Sequence, residues 1–167
     1  TTNTNNYKNI FVSKYNSDGK VWTAALEDGP SNLNAEGLSI AVSATGNVYV
    51  AGYVSTSETN TDIAVLKYNN SGNQEWMNIV PGPGYSEDKA WGIVVDAADN
   101  CYITGYITVD ANNTDCLTAA YDSQGNLIWD DNYNGGGNQI DKAWGIVVDT
   151  DGSVFITGES ADASLNI

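Results

Sequence analysis

Short apolar stretches alternate along this chain with clusters of Asn, Asp, Gly and Ser. In residues 92–96, Ile93 and Val95 alternate with Val94, the period of a strand with two different faces. No stretch carries a helical period with caps. One unit reads as four strands: 92–96, 101–107, 116–121, and a fourth that runs through Trp129. The segments between them, such as AADN, TDGS, NNSGN and DSQGN, are turn sequences. Their residues tolerate positive φ or hydrogen-bond their own backbone.

The pattern repeats. DKAWGIVVD occupies 88–96 and recurs without change at 141–149, 53 positions later. At the same shift, DIAVLKYNNSGNQEW (62–76) matches DCLTAAYDSQGNLIW (115–129). Both match NIFVSKYNSDGKVW (9–22), which is one residue shorter before its tryptophan. GLSIAVSATGNVYVAG (37–52) is the third copy of the other half, beside 91–105 and 144–158. A nine-residue identity is either a site used twice or a strand built twice. The first copy reads NAEGLSIAVS, with Ala35, Glu36 and Leu38 in place of Asp88, Lys89 and Trp91. The apolar pattern persists while the polar part varies, so a repeated strand is expected.

Four antiparallel strands repeated at this interval predict an all-β fold, a β-propeller of four-stranded blades. The expected division is a flexible segment over 1–8 and propeller repeats over 9–167. The latter comprise a half-blade (9–26), two blades (37–80 and 90–132) and a second half-blade (143–167), in which SLNI begins a further strand. The two half-blades are complementary. Three blades are too few for a ring, since propellers have roughly four to eight. Bare strand edges invite pairing. Self-association through the half-blades is therefore expected, with a six-bladed dimer favoured and a head-to-tail filament as the alternative. A longer natural chain would satisfy the same edges.

The motifs GNVYVAG, DIAVLKYNNSG…W and DKAWGIVVD resemble the bacterial β-propeller repeat called SBBP, over most of 9–159. The resemblance implies a bacterial protein that is secreted or held at the cell surface. It implies no particular activity.

Composition narrows the chemistry. Asp and Glu number 21 against six lysines, a formal charge of -15, which disfavours nucleic acid. No histidine is present, so neither a His-dependent nucleophile nor a His-based metal centre can be built in one chain. No apolar run is long enough to predict membrane insertion. Cys101 and Cys116 replace Val48 and Ile63 of the preceding unit and are expected to be free and buried, with Cys116 facing Tyr106. DTDGS (149–153) begins like a calcium loop but lacks its later ligands, and an Asp/Gly turn is expected, with weak calcium binding at Asp149–Asp151 left open. Neither a metal site nor a cofactor is predicted.

The candidate ligand-binding residues are Asp88, Lys89 and Trp91 with their repeats Asp141, Lys142 and Trp144. They lie where long, variable loops enter the first strand of a unit, at one mouth of the expected hub. A tryptophan beside Asp, Asn and Lys suits a sugar face and its hydroxyls. The competing reading packs the tryptophans between blades. Gly92 and Gly145 are expected to admit a neighbouring backbone. Function is expected to be noncatalytic, that of a binding or assembly module with a glycan or protein partner. A lectin-like propeller is the alternative, and a filament subunit or a glycan-active enzyme using Asp88 and Asp141 ranks below it. No catalytic residue is assigned.

Overall fold

Each hairpin is closed by a side chain that bonds its own turn. Asp96 Oδ1 accepts the N–H groups of Ala98 and Asn100 at 2.8 and 2.9 Å. Asp149 Oδ1 accepts those of Asp151 and Ser153 at 2.9 and 2.8 Å. Asp122 and Asn69 make the same pair of bonds in their turns. DTDGS is thus one of a series of Asp- and Asn-anchored turns, set by local chemistry.

The computed structural model describes residues 7–25, 33–84 and 86–161. It contains the strands β1 (Phe11–Asn16), β2 (Gly19–Ala25), β3 (Ala35–Val42), β4 (Val48–Ser55), β5 (Thr61–Tyr68) and β6 (Gln74–Val80). They are followed by β7 (Lys89–Val95), β8 (Cys101–Asp110), β9 (Asn113–Tyr121), β10 (Leu127–Tyr133), β11 (Asp141–Val148) and β12 (Val154–Ser160). No helix occurs among the described residues. The protein is all-β, with four antiparallel sheets: β1-β2, β3-β4-β5-β6, β7-β8-β9-β10 and β11-β12. Within each sheet, every strand pairs with its neighbour in sequence.

The sheets pack in series, and the alternation of side chains decides what faces what. Val48, Val50, Leu66 and Tyr68 face the β1–β2 hairpin and bury Ile10 and Val12. From the other face of the same sheet, Tyr49, Ala51, Ile63 and Val65 meet Ile93, Cys101, Ile103 and Ala119 of the next. Tyr102 and Ala120 then meet Ile146 of β11. The first strands are neighbours, β7 lying against both β3 and β11. Backbone bonds tie the sheets at one end: Asp88 N–H donates to the Thr61 carbonyl at 2.8 Å, and Thr114 N–H to that of Gln139 at 3.1 Å.

The first strand of each long unit starts earlier than its apolar core suggests, because it carries a bulge. Ala90 pairs with Gly105 and Gly92 with Thr104, which leaves Trp91 without a partner residue. Trp144 and Leu38 hold the same place in β11 and β3. The second strand approaches closely here. A Cβ on Gly105 would stand 2.0 Å from the Lys89 carbonyl oxygen, and one on Gly52 or Gly158 would stand 1.9 Å from that of Glu36 or Lys142. A Cβ on Gly92 would meet Ile146 Cγ2 at 2.8 Å, with the Ile146 backbone nitrogen at 3.6 Å, so the glycine admits the first strand of the next sheet, its side chain foremost.

Of the segment expected to be flexible over 1–8, residues 1–6 lie outside the described residues, as do 26–32 and the SLNI stub. Lys8 is held: its N–H donates to Asn34 Oδ1 at 3.0 Å, its carbonyl accepts Ala35 N–H at 2.8 Å, and its ammonium pairs with Glu36. Cys101 and Cys116 are free and buried, and Cys116 stands opposite Tyr106 in the β8–β9 ladder.

The glycine at the bulge gives a direct test. Gly105→Ala forces a methyl group onto the Lys89 carbonyl, and relief requires moving backbone. Urea unfolding should show a loss of at least about 2 kcal/mol, in the upper range of overpacking costs. Ser17→Ala, in an exposed turn, should leave the midpoint nearly unchanged.

Candidate functional site

The loops that follow β6 and β10 deliver the two repeated aspartates, and each folds back on its own carboxylate. Asp88 Oδ2 accepts Gly82 N–H at 2.6 Å, and its Oδ1 accepts Thr108 N–H at 2.7 Å. One carboxylate thereby holds the start of its loop to the end of β8. Glycine is needed opposite it, since a Cβ at Gly82 would lie 2.5 Å from Asp88 Oδ2. Asp141 repeats half of this arrangement, with Oδ2 accepting Gly135 N–H at 2.7 Å. Its Oδ1 is buried and has no hydrogen-bond partner among the described residues. Thr114 Oγ1 donates to the Asp141 carbonyl at 3.2 Å.

Both aspartates are fully buried. In place of the rim position expected for them, they turn inward as loop clamps and accept the N–H groups of Gly82, Thr108 and Gly135. Burial raises the Asp88 carboxyl to about 6, against the lowering effect of its bonds from Thr108 and Gly82.

The lysines leave the aspartates and turn to tyrosines of the preceding sheet. Lys89 Nζ lies 4.9 Å from the Tyr53 ring centroid and pairs with Glu87 at 3.0 Å. Lys142 Nζ lies 4.3 Å from the Tyr106 ring centroid. Burial pushes both phenols up to about 12, with the Glu36 hydrogen bond and charge adding to the effect at Tyr53 and the Glu87 and Asp88 charges at Tyr106. Both rings remain neutral hosts for an ammonium at physiological pH. The recurrence of Tyr53 and Tyr106 at the 53-residue shift was a usable signal for this contact that strand patterning alone passed over.

Trp91 and Trp144 occupy the bulges of neighbouring first strands and meet edge to face, with ring centroids 5.2 Å apart at 63°. Trp91 is partly buried, and its Nε1 is enclosed without a hydrogen-bond partner among the described residues. Trp144 remains 42% exposed. The six residues thus separate into loop clamps, inter-sheet lysine–tyrosine contacts and a tryptophan pair. Of the two aromatic roles weighed in the sequence, wedging between sheets describes Trp91, and Trp144 alone offers substantial ring surface to solvent.

Elsewhere the reactive side chains are quiet. Burial pushes the Cys101 thiol up to about 12 and the Cys116 thiol to about 11, so neither is a thiolate at neutral pH. Among the described residues, no three acidic or cysteine side chains gather into a metal-binding group.

No family model matches the chain, and no curated protein matches it. The resemblance to the SBBP repeat rests on the quoted motifs alone.

The clamp has a measurable pH signature. Asp88 has a folded value above the ordinary carboxylate value of 3.8. Its contribution is fully present below about pH 4 and is lost as pH rises through about 6. Asp88→Asn removes that titration and presents an amide donor to one of two backbone donors, a cost of about 1–3 kcal/mol. Chemical denaturation at several pH values should show the gap between variant and parent largest near pH 4 and narrower by pH 7. A constant gap would count against the raised Asp88 value.

Proposed function

We propose that the chain is a noncatalytic β-propeller that serves outside the cell, or on its envelope, as a binding and assembly module. The observation that carries this reading is the pair of two-stranded sheets. Among the described residues, each is two strands short of the sheets between them, and each leaves large apolar side chains exposed. β1 and β2 correspond to the third and fourth strands of a unit, β11 and β12 to the first and second. Isolated hairpins with one open edge are poor end points for a sheet.

Other observations support the same reading. The four-stranded sheets repeat with their first strands side by side, as blades about an axis require. Asp88 and Asp141, the acids an enzyme of this kind would use, are buried and hydrogen-bonded to their own loops. An extracellular or cell-envelope location and a bacterial origin follow from the resemblance to the SBBP repeat. The formal charge of -15 suits a cationic or neutral partner over a nucleic acid.

Trp144 favours a second reading, glycan binding. Its ring is the exposed member of the tryptophan pair, and the open face of an indole can stack on a sugar ring.

Two measurements separate these functions. Light scattering of the 167-residue chain should give a species heavier than 17.7 kDa. Ile40→Glu, at a side chain already 58% exposed, should lower that mass while shifting stability by no more than about 0.5 kcal/mol. A folded parent that stays at the monomer mass at every concentration rejects assembly. On a diverse glycan set, binding lost on Trp144→Ala supports the second reading, and no binding by the parent removes it.

A further inference from the structure

We infer that, in a chain of these 167 residues, β12 of one copy pairs with β1 of a second copy in a single defined register, and that two such joints close two chains into a ring of six four-stranded sheets. This rests on the propeller reading above and specifies its partner. Among the described residues, β1 pairs only with β2 and β12 only with β11.

The register follows from the repeat. Tyr106 pairs with Cys116, Ile103 with Ala119 and Tyr102 with Ala120. Tyr53 with Ile63, Val50 with Leu66 and Tyr49 with Lys67 are the same pairs one unit earlier. Carried to the half-sheets, they set Glu159 opposite Ile10, Ile156 opposite Ser13 and Phe155 opposite Lys14 of the second copy. The last pair matches known chemistry in this chain, where Lys67 Nζ lies 5.5 Å from the Tyr49 ring centroid. Tyr15 is 67% exposed, while its equivalents Tyr68, covered by the β1–β2 hairpin, and Tyr121, covered by the preceding four-stranded sheet, are 1% and 5% exposed.

A second set of contacts points to the same joint. Ile93 packs in the cluster with Tyr49 of the preceding sheet, and Ile146 in that with Tyr102. The equivalents Ile40 and Phe155 are both 58% exposed. Pairing β12 with β1 of the second copy places Phe155 in the sheet that precedes Ile40 of that copy, so one apolar face covers the other.

The turn glycines supply a third set. Trp22 donates its Nε1–H to the Asn70 carbonyl at 3.0 Å and lies on Gly72, where a Cβ would stand 2.8 Å from the ring. Trp76 donates to the Ser123 carbonyl at 3.2 Å and lies on Gly125, at 2.9 Å. The series leaves one tryptophan and one glycine over. Trp129 is 39% exposed, and a Cβ on Gly19 would meet nothing within 4 Å. In the ring, Trp129 of each copy seats on Gly19 of the other and donates to the Ser17 carbonyl.

Cysteine cross-linking tests the register in the full chain. Successive antiparallel pairs alternate between wide and close spacing, so one of two adjacent pairs suits a disulfide. S13C/I156C and K14C/F155C are therefore oxidised in parallel, with S13C/F155C as a control whose side chains lie on opposite faces. The native Cys101 and Cys116 are buried. The expected result is a covalent dimer on a denaturing, nonreducing gel from at least one on-register variant and none from the control. A cross-linked monomer would mean that the chain closes on itself, and a ladder of multimers that the joint does not close at two copies; either overturns the inference. An assembly by light scattering that gives no on-register cross-link overturns the joint while leaving the assembly reading intact. A parent that is monomeric by light scattering overturns both.

Discussion

The contact on which the first strands depend is the approach of a carbonyl oxygen to a glycine, made once in each sheet that has a first and second strand. Lys89 and Gly105, Glu36 and Gly52, and Lys142 and Gly158 form the three pairs. The approach accompanies one extra residue in the first strand, and an extra residue exchanges the faces of all that follow it. Ala90 and Ile93 therefore share one apolar cluster although an unbroken strand would place them on opposite faces. Trp91 and Trp144 leave the ladder at the same step and meet each other across neighbouring strands.

Once this phase is set, polar residues act mainly between elements. Asp88 joins a loop to β8, Thr61 and Thr114 join third strands to the segments entering the next sheet, and Lys89 and Lys142 reach back to Tyr53 and Tyr106. These contacts sit beside apolar clusters that occupy the spaces between successive sheets. The apolar surface supplies a nondirectional attraction, and the hydrogen bonds supply the relative position of each sheet.

The strands and hairpins were legible because their signals are local. An aspartate at 96, 122 or 149 bonds N–H groups two and four residues away, and the apolar alternation beside it needs no knowledge of the rest of the chain. The bulges were not legible in that way. Their cause is a glycine on the next strand, and only its recurrence at 52, 105 and 158 marks it in the sequence. The candidate site divides along the same line. Its tryptophans and lysines stood out by recurrence, but the inward turn of Asp88 depends on Gly82 and Thr108, which approach it only in the folded chain.

The seating of Trp22 and Trp76 on the glycine turn of the following sheet has a consequence for how such a chain can change length. The same mating surfaces appear on both sides of a unit, so a tandem duplication of 53 codons inserts a part already fitted to its neighbours. No new contact has to be invented at either seam. A duplication that is not a whole number of units would present a tryptophan with no glycine beneath it and a first strand in the wrong phase. The unbroken identity of DKAWGIVVD suits a chain that lengthens by copying whole units and then diverges first in the loops, where the fit is least demanding.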